Sequence, residues 1–202
     1  MITVDGRDTG LEIQSFENLE QILLEMRDGK HFDGRVIINV LVNKESFSEI
    51  YPHQAEDVES SDIESLDIVT MPTGEMAVSI TRELYKVVAL MDNGARRVAE
   101  LFRKADDNEA LEVYQDLIDV TRDFLGMVGV LRGEFNLKDT PSFTEATEEL
   151  SGLFSEMLEV MENEDWILLA DLLEYEFIPA VERWKKIVAQ LREDIKEVAR
   201  AA

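Results

Sequence analysis

Leu66-Asp67-Ile68-Val69-Thr70-Met71-Pro72-Thr73-Gly74-Glu75-Met76-Ala77-Val78-Ser79-Ile80 is the stretch in which the hydrophobic period changes. Up to it, apolar residues follow the short periods of strands, and Ile63, Leu66, Ile68 and Val69 predict a last strand. Beyond Thr73, Ile80, Leu84, Val87, Met91, Ala95, Val98 and Phe102 fall on one helical stripe, roughly 45 Å long if unbroken. The chain is therefore expected to be α+β. A small domain over residues 1–71 precedes an antiparallel bundle of four to five long helices over 72–202.

Working back from that junction, Ile2 and Val4 alternate with polar neighbours, and Asp5-Gly6 opens a turn region that closes at Gly10. Leu11 and Ile13 alternate again, which predicts a β-hairpin. Ser15 is placed to cap a helix carrying Phe16, Leu19, Ile22, Leu23 and Met26, with Gly29 just past its end. The β-branched run from Arg35 to Val42 reads as a central strand. Asn43-Lys44 then turns the chain into a short edge strand through Phe47, before a loop around Tyr51-Pro52-His53. The order strand, strand, helix, strand, short strand, loop, strand resembles the β-grasp, the ubiquitin-like fold, over roughly residues 1–71. It does so by element order, not by a motif. A conjugated modifier or sulfur carrier of that fold needs a free Gly-Gly tail, and here the strand runs through Pro72 straight into a helix. Such a role is not expected.

Working forward, the helical register passes through Asn93-Gly94 unshifted, which predicts one helix there. Asp107 or Asn108 caps the next, with Leu111, Tyr114, Leu117, Phe124, Val128 and Leu131 inward. Gly126 and Gly129 within it mark either a close backbone approach or a loosened helix. A loop over 132–142 precedes a third helix, from about Phe143 to Glu162. The last helical segment runs from Asp165 nearly to the end, with Pro179 expected to kink or divide it.

Composition sets the outer limits. A 45% hydrophobic share excludes a disordered chain, and the absence of cysteine excludes thiolate zinc and thiol chemistry. The N-terminus lacks a basic segment followed by an apolar run, so no signal peptide is expected. The longest nearly apolar stretch, 166–181, is broken by Asp171, Glu174 and Glu176 and is too short to span a bilayer. A cytoplasmic protein with no membrane partner is expected. The formal net charge is -24, with 44 acidic against 20 basic residues spread over both halves. That surface repels nucleic acid and suits a basic protein or peptide, or cations; the plain alternative is solubility alone.

Chemistry is harder to find. Histidine occurs at His31 and His53, neither beside a nucleophile, and no phosphate loop, dinucleotide fingerprint, calcium loop or zinc-helix motif is present. No catalytic, cofactor-binding or metal-ligating residue is assigned, and the chain leans towards a non-enzyme. Asp171 and Glu174 share a helical face, and with Glu176 they sit in an apolar helix where an unpaired charge is costly. Arg82, Lys86, Arg96, Arg97 and Arg122 are the expected counter-charges, with Arg96-Arg97 pointing to internal pairing. A second candidate lies in a run from Glu45 to Thr81 that contains no lysine or arginine. Its densest part holds Glu56, Asp57, Glu59 and Asp62. The Asp-x-x-Glu-Tyr-Glu-x-x-Pro segment resembles one in uncharacterised bacterial proteins of similar size, which implies a bacterial origin and no activity. The leading expectation is a non-enzymatic interaction module (adaptor, assembly factor or chaperone-like) with an acidic surface for a basic partner, with homodimerisation open. The alternatives are a small-ligand or divalent-cation site around Asp171 and Glu174, with or without catalysis, and a nucleic-acid mimic.

Overall fold

A computed structural model describes residues 1–29, 31–48 and 54–201. The chain divides into two compact units, Met1–Met76 and Ala77–Ala202, each with its own core.

The first unit is a mixed five-stranded sheet in the order β2-β1-β5-β3-β4, with β1 Ile2–Val4, β2 Arg7–Asp8, β3 Arg35–Val42, β4 Glu45–Ser46 and β5 Leu66–Pro72. β1 runs parallel to β5, while the pairs β1–β2, β3–β5 and β3–β4 are antiparallel. The element order is the one expected, yet three details differ. The hairpin closes much earlier than Leu11. Asp5 and Gly6 both take positive φ, 49° and 76°, so Val4 pairs directly with Arg7 across a two-residue turn. Ile13 instead enters a 3-10 turn and points into the core. The helix cap is Asn18, not Ser15; its side chain accepts from the Gln21 N–H at 3.0 Å, and α1 spans Leu19–Asp28. Finally, β5 holds the centre of the sheet. β3 lies one strand outward, bulged between Ile37 and Asn39, which leaves Ile37 and Ile38 exposed.

A polar network closes the middle of this sheet. Asp5 accepts from the Thr70 N–H at 2.8 Å and from its hydroxyl at 2.7 Å, while Arg35 reaches Asp5 at 3.1 Å and the Thr70 hydroxyl at 2.6 Å. The Thr70 amide and hydroxyl, together with Arg35, hold the Asp5 carboxyl below its ordinary range. Leu19, Ile22 and Met26 of α1, spaced three and four apart, meet Ile2, Leu66 and Ile68 in the core, on the face of β5 that Thr70 shares.

The second unit is built on α2 (Thr73–Arg103), α3 (Asp107–Glu134), α4 (Pro141–Glu162), α5 (Trp166–Leu172) and α6 (Ile178–Ala201). α2 continues unbroken past Asn93-Gly94. Between α5 and α6, Leu173–Phe177 form a π-turn in which the Ile178 N–H reaches the Leu173 carbonyl. That wider turn accommodates Pro179, whose missing N–H an α-turn would have needed, and the chain stays helical from Trp166 to Ala201. Cross-contacts set the directions. The ion pairs Arg103–Asp171 and Arg97–Glu109 place α2 antiparallel to both the last helix and α3, and Arg183–Glu149 places α4 antiparallel to α6. The four long helices thus alternate up and down around one core, in which Trp184 is fully buried between Phe124 and Phe143, both edge-on. Arg132 secures the α3–α4 connection. It donates to the Lys138 carbonyl and to Asp139, and its guanidinium lies 3.9 Å from the Phe143 ring centroid.

Candidate functional site

α2 and the last helix meet along a seam whose charges are arranged in order. At one end Phe102 stacks on Trp166 with ring centroids 5.2 Å apart. Arg103, the last residue of α2, then reaches across to two acids of the last helix. One of its amino groups donates to Asp171 at 2.7 Å and the other to Glu174. Spacing of three residues puts both carboxylates on one face of the helix, so one guanidinium serves both. These bonds, Asp171 first, raise the Arg103 pKa. Two turns earlier Arg96 grips Asp92 of its own helix at 3.0 Å, with Glu174 and Glu182 facing it across the seam. Lys185 pairs with Glu182.

The expected buried-charge site is therefore partly corrected. Asp171 and Glu174 are half-buried and paired, but Glu176 lies exposed on the π-turn. Their partner is Arg103; Arg82, Lys86, Arg97 and Arg122 are not. Arg97 pairs with Glu109 on α3, which raises its pKa, while Lys86 and Arg122 pair locally with Glu83 and Asp119. The signal in sequence for Arg103 is spacing. Arg103 stands seven residues after Arg96, on the same face of α2 and in its last turn, where the helix dipole favours a cation.

A cation reading of the Asp171–Glu174 pair weakens accordingly, because an arginine already occupies the space between the two carboxylates. Among the described residues no group of three His, Cys, Asp or Glu is placed to hold a metal ion.

The second candidate has a different character. Glu56, Asp57, Glu59 and Asp62 are all exposed, and among the described residues none of them forms an ion pair. Glu56 and Asp57 stand on one 3-10 turn, Ala55–Asp57, Asp62 on a second, Ser60–Asp62, and Glu59 just before the second. The backbone under them is held from both sides. Asn18 donates to the Glu56 carbonyl at 3.2 Å, the Leu19 N–H to the Val58 carbonyl at 2.9 Å, and the Ser60 N–H to the Glu17 carbonyl at 3.0 Å. From the β3–β4 turn, Asn43 donates to the Asp62 carbonyl at 2.8 Å and accepts from the Glu64 and Ser65 amides. Ala55 and Ile63 are buried beneath. These acids are thus fixed in place. The Asp171 group and the Glu56–Asp62 group belong to different units of the chain.

His31 is exposed in the turn before β3, and His53 lies outside the described residues. No described helix is long and apolar enough to cross a membrane.

A small mixed-sheet unit joined to an up-and-down helical unit defines a two-part α+β protein. Residues 79–187, more than half of the chain, match the family model described as domain of unknown function DUF8042, and the chain belongs to that family. Residues 1–71 match a second model, domain of unknown function DUF8043. No curated protein and no solved structure matches the chain.

Proposed function

We propose that this protein is a non-enzymatic interaction module of the bacterial cytoplasm, which holds a basic protein or peptide against the acids of its first unit. The observation that carries this reading is the set Glu56, Asp57, Glu59 and Asp62, exposed on a hydrogen-bonded backbone and in no ion pair among the described residues. An acidic run on a floppy tail must be ordered when it binds; this one is ordered beforehand, so less entropy opposes docking. The surrounding excess of acid steers a cationic partner towards it.

The alternatives have less support. Asp171 and Glu174 are engaged by Arg103. A nucleic-acid mimic needs an even acidic ridge. The strongest stripe, on α4, runs Glu145, Glu148, then Glu156, Glu159 and Glu162, with Gly152 and Ser155 in the gap. Self-association would use the exposed Met127 and Val130 of α3, and sedimentation velocity tests it.

The test compares the full chain with the variant E56Q/D57N/E59Q/D62N as bait at low salt. A specific, predominantly basic protein is expected on the native chain. The variant should bind it at least about tenfold more weakly, and affinity should fall as salt rises. Capture of nothing above background, or a partner indifferent to the four substitutions, would end the proposal.

A further inference from the structure

Along the α2 seam each cation finds an acid until the level of Tyr85, where the pattern stops. There α2 contributes Arg82, Tyr85 and Lys86, and α6 contributes Val188, Ala189 and Arg192, to the walls of a groove of about 370 Å³ that no carboxylate lines among the described residues. Lys86 is held by Glu83 at 2.8 Å. Arg82 and Arg192 have no ion pair among the described residues, and the Arg192 Nε is buried without a hydrogen-bond partner among them. Glu193, the nearest acid in sequence, is taken by Lys196 at 2.7 Å. Two guanidinium groups lining one groove, neither in an ion pair among the described residues, are conspicuous in a chain with 44 acids and 20 bases; the Glu193 carboxylate acts on Arg192 only at a distance.

We infer that this groove binds a small molecule in which an oxyanion, a carboxylate or phosphate, is attached to a flat apolar body. The planar guanidinium forks of Arg82 and Arg192 match such an oxyanion through their terminal N–H groups, since the Arg192 Nε is closed off from the groove. Buried Val188 and the Tyr85 ring, which is 49% exposed, offer the apolar contact. The volume lies in the range of small-ligand sites, about 300–1,000 Å³. Net charge selects the size of the ligand. With charge -24, the molecule repels a polyanion along its whole length. A single small anion feels chiefly the groove, because charges farther than about 8 Å are screened at physiological salt. A nucleic acid or an acidic protein is therefore the wrong class.

The test is an NMR titration of the full chain with phenyl phosphate at about 0.15 M salt. Saturable shifts are expected at Tyr85, Ala189 and Arg192. The variants R82Q and R192Q should each weaken binding about tenfold, with circular dichroism unchanged. E83Q, at an exposed site, should tighten binding by releasing Lys86. Inorganic phosphate should bind more weakly than phenyl phosphate, and the cation benzamidine should leave the groove signals unmoved. The inference is overturned by absence of saturation up to about 10 mM, by affinity unchanged in both arginine variants, or by benzamidine shifting the same residues. Equal affinity for inorganic phosphate would remove the apolar body from the assignment.

Discussion

At the scale of single residues, two side chains carry measurable consequences. Trp184 is fully buried, and its indole N–H finds no hydrogen-bond partner among the described residues. Its contribution is therefore packing against Phe124 and Phe143 alone. W184A should cost about 3–5 kcal/mol. W184F should cost clearly less, about 1–2 kcal/mol, because it sacrifices volume but no satisfied polar group. Urea unfolding measures both, and equal losses would mean the indole nitrogen is bonded after all. Asp5 makes a prediction about pH. Its carboxyl titrates below the ordinary value of 3.8 because the Thr70 amide and hydroxyl and Arg35 favour the charged form. A depressed carboxyl stabilises the fold above its unfolded pKa and loses that contribution as pH falls from about 4 through the folded value. Protection of the Thr70 amide from hydrogen exchange should drop over that window, and D5N should flatten the drop. These positions also mark how far sequence reaches. Carboxylates in an apolar helix announced that a counter-charge was needed, and Arg103 supplies it for two of the three. Sequence offers five other cations as readily, because a choice among them depends on which helix faces which, and that is absent from periodicity.

The elements themselves were largely legible, their ends much less so. Apolar spacing located α2, α3, α4 and the last helix, since burial of one face leaves a periodic record. The turns between them left almost none. Ala105, Asn136 and Glu164 adopt positive φ, 56°, 50° and 55°. In each case the following N–H bonds back to the sixth residue counted from it: Asp106 to Leu101 at 3.1 Å, Leu137 to Arg132 at 2.9 Å, Asp165 to Val160 at 3.2 Å. This is the closing geometry that glycine usually supplies, so without glycine the sequence is silent. An L side chain in that conformation costs about 1–2 kcal/mol. A105G and E164G should each raise stability by about 1 kcal/mol, read as a shift in urea midpoint, and N136G by less. The interior glycines decide between the two alternatives their spacing left open. A methyl group on Gly126 would meet nothing within 4 Å, so no neighbouring backbone approaches there, whereas one on Gly94 would lie 3.3 Å from Leu117 Cδ1. G126A should therefore stabilise by about 0.5–1 kcal/mol, and G94A should gain less as Leu117 gives way. If G94A gained as much as G126A, the α2–α3 contact at that point would be looser than it stands here.

For the molecule as a whole, charge is the property most plainly written in the sequence, and pairing is what the fold adds. Most of the cations are committed to acids of the same chain through surface pairs such as Arg96–Asp92, Arg103–Asp171 and Arg183–Glu149. The acids left over, Glu56, Asp57, Glu59 and Asp62 among them, repel one another across the surface. Salt screens that repulsion. Raising ionic strength from about 0.05 to about 0.5 M should thus stabilise the protein, on the order of 1 kcal/mol, or about 2–4 °C in Tm. The same salt should weaken the proposed basic partner, so stability and affinity should move in opposite directions. The neutralised variant E56Q/D57N/E59Q/D62N separates the two roles at low salt. If those acids serve docking, removing them should raise Tm while abolishing partner capture, because among the described residues they form no ion pair and Glu59 alone accepts a side-chain hydrogen bond, from Ser61, which E59Q can still accept. If they serve structure, Tm should fall by a similar amount instead. Calorimetry at low and high salt distinguishes these outcomes, since a gain that comes from relieved repulsion must shrink as salt rises.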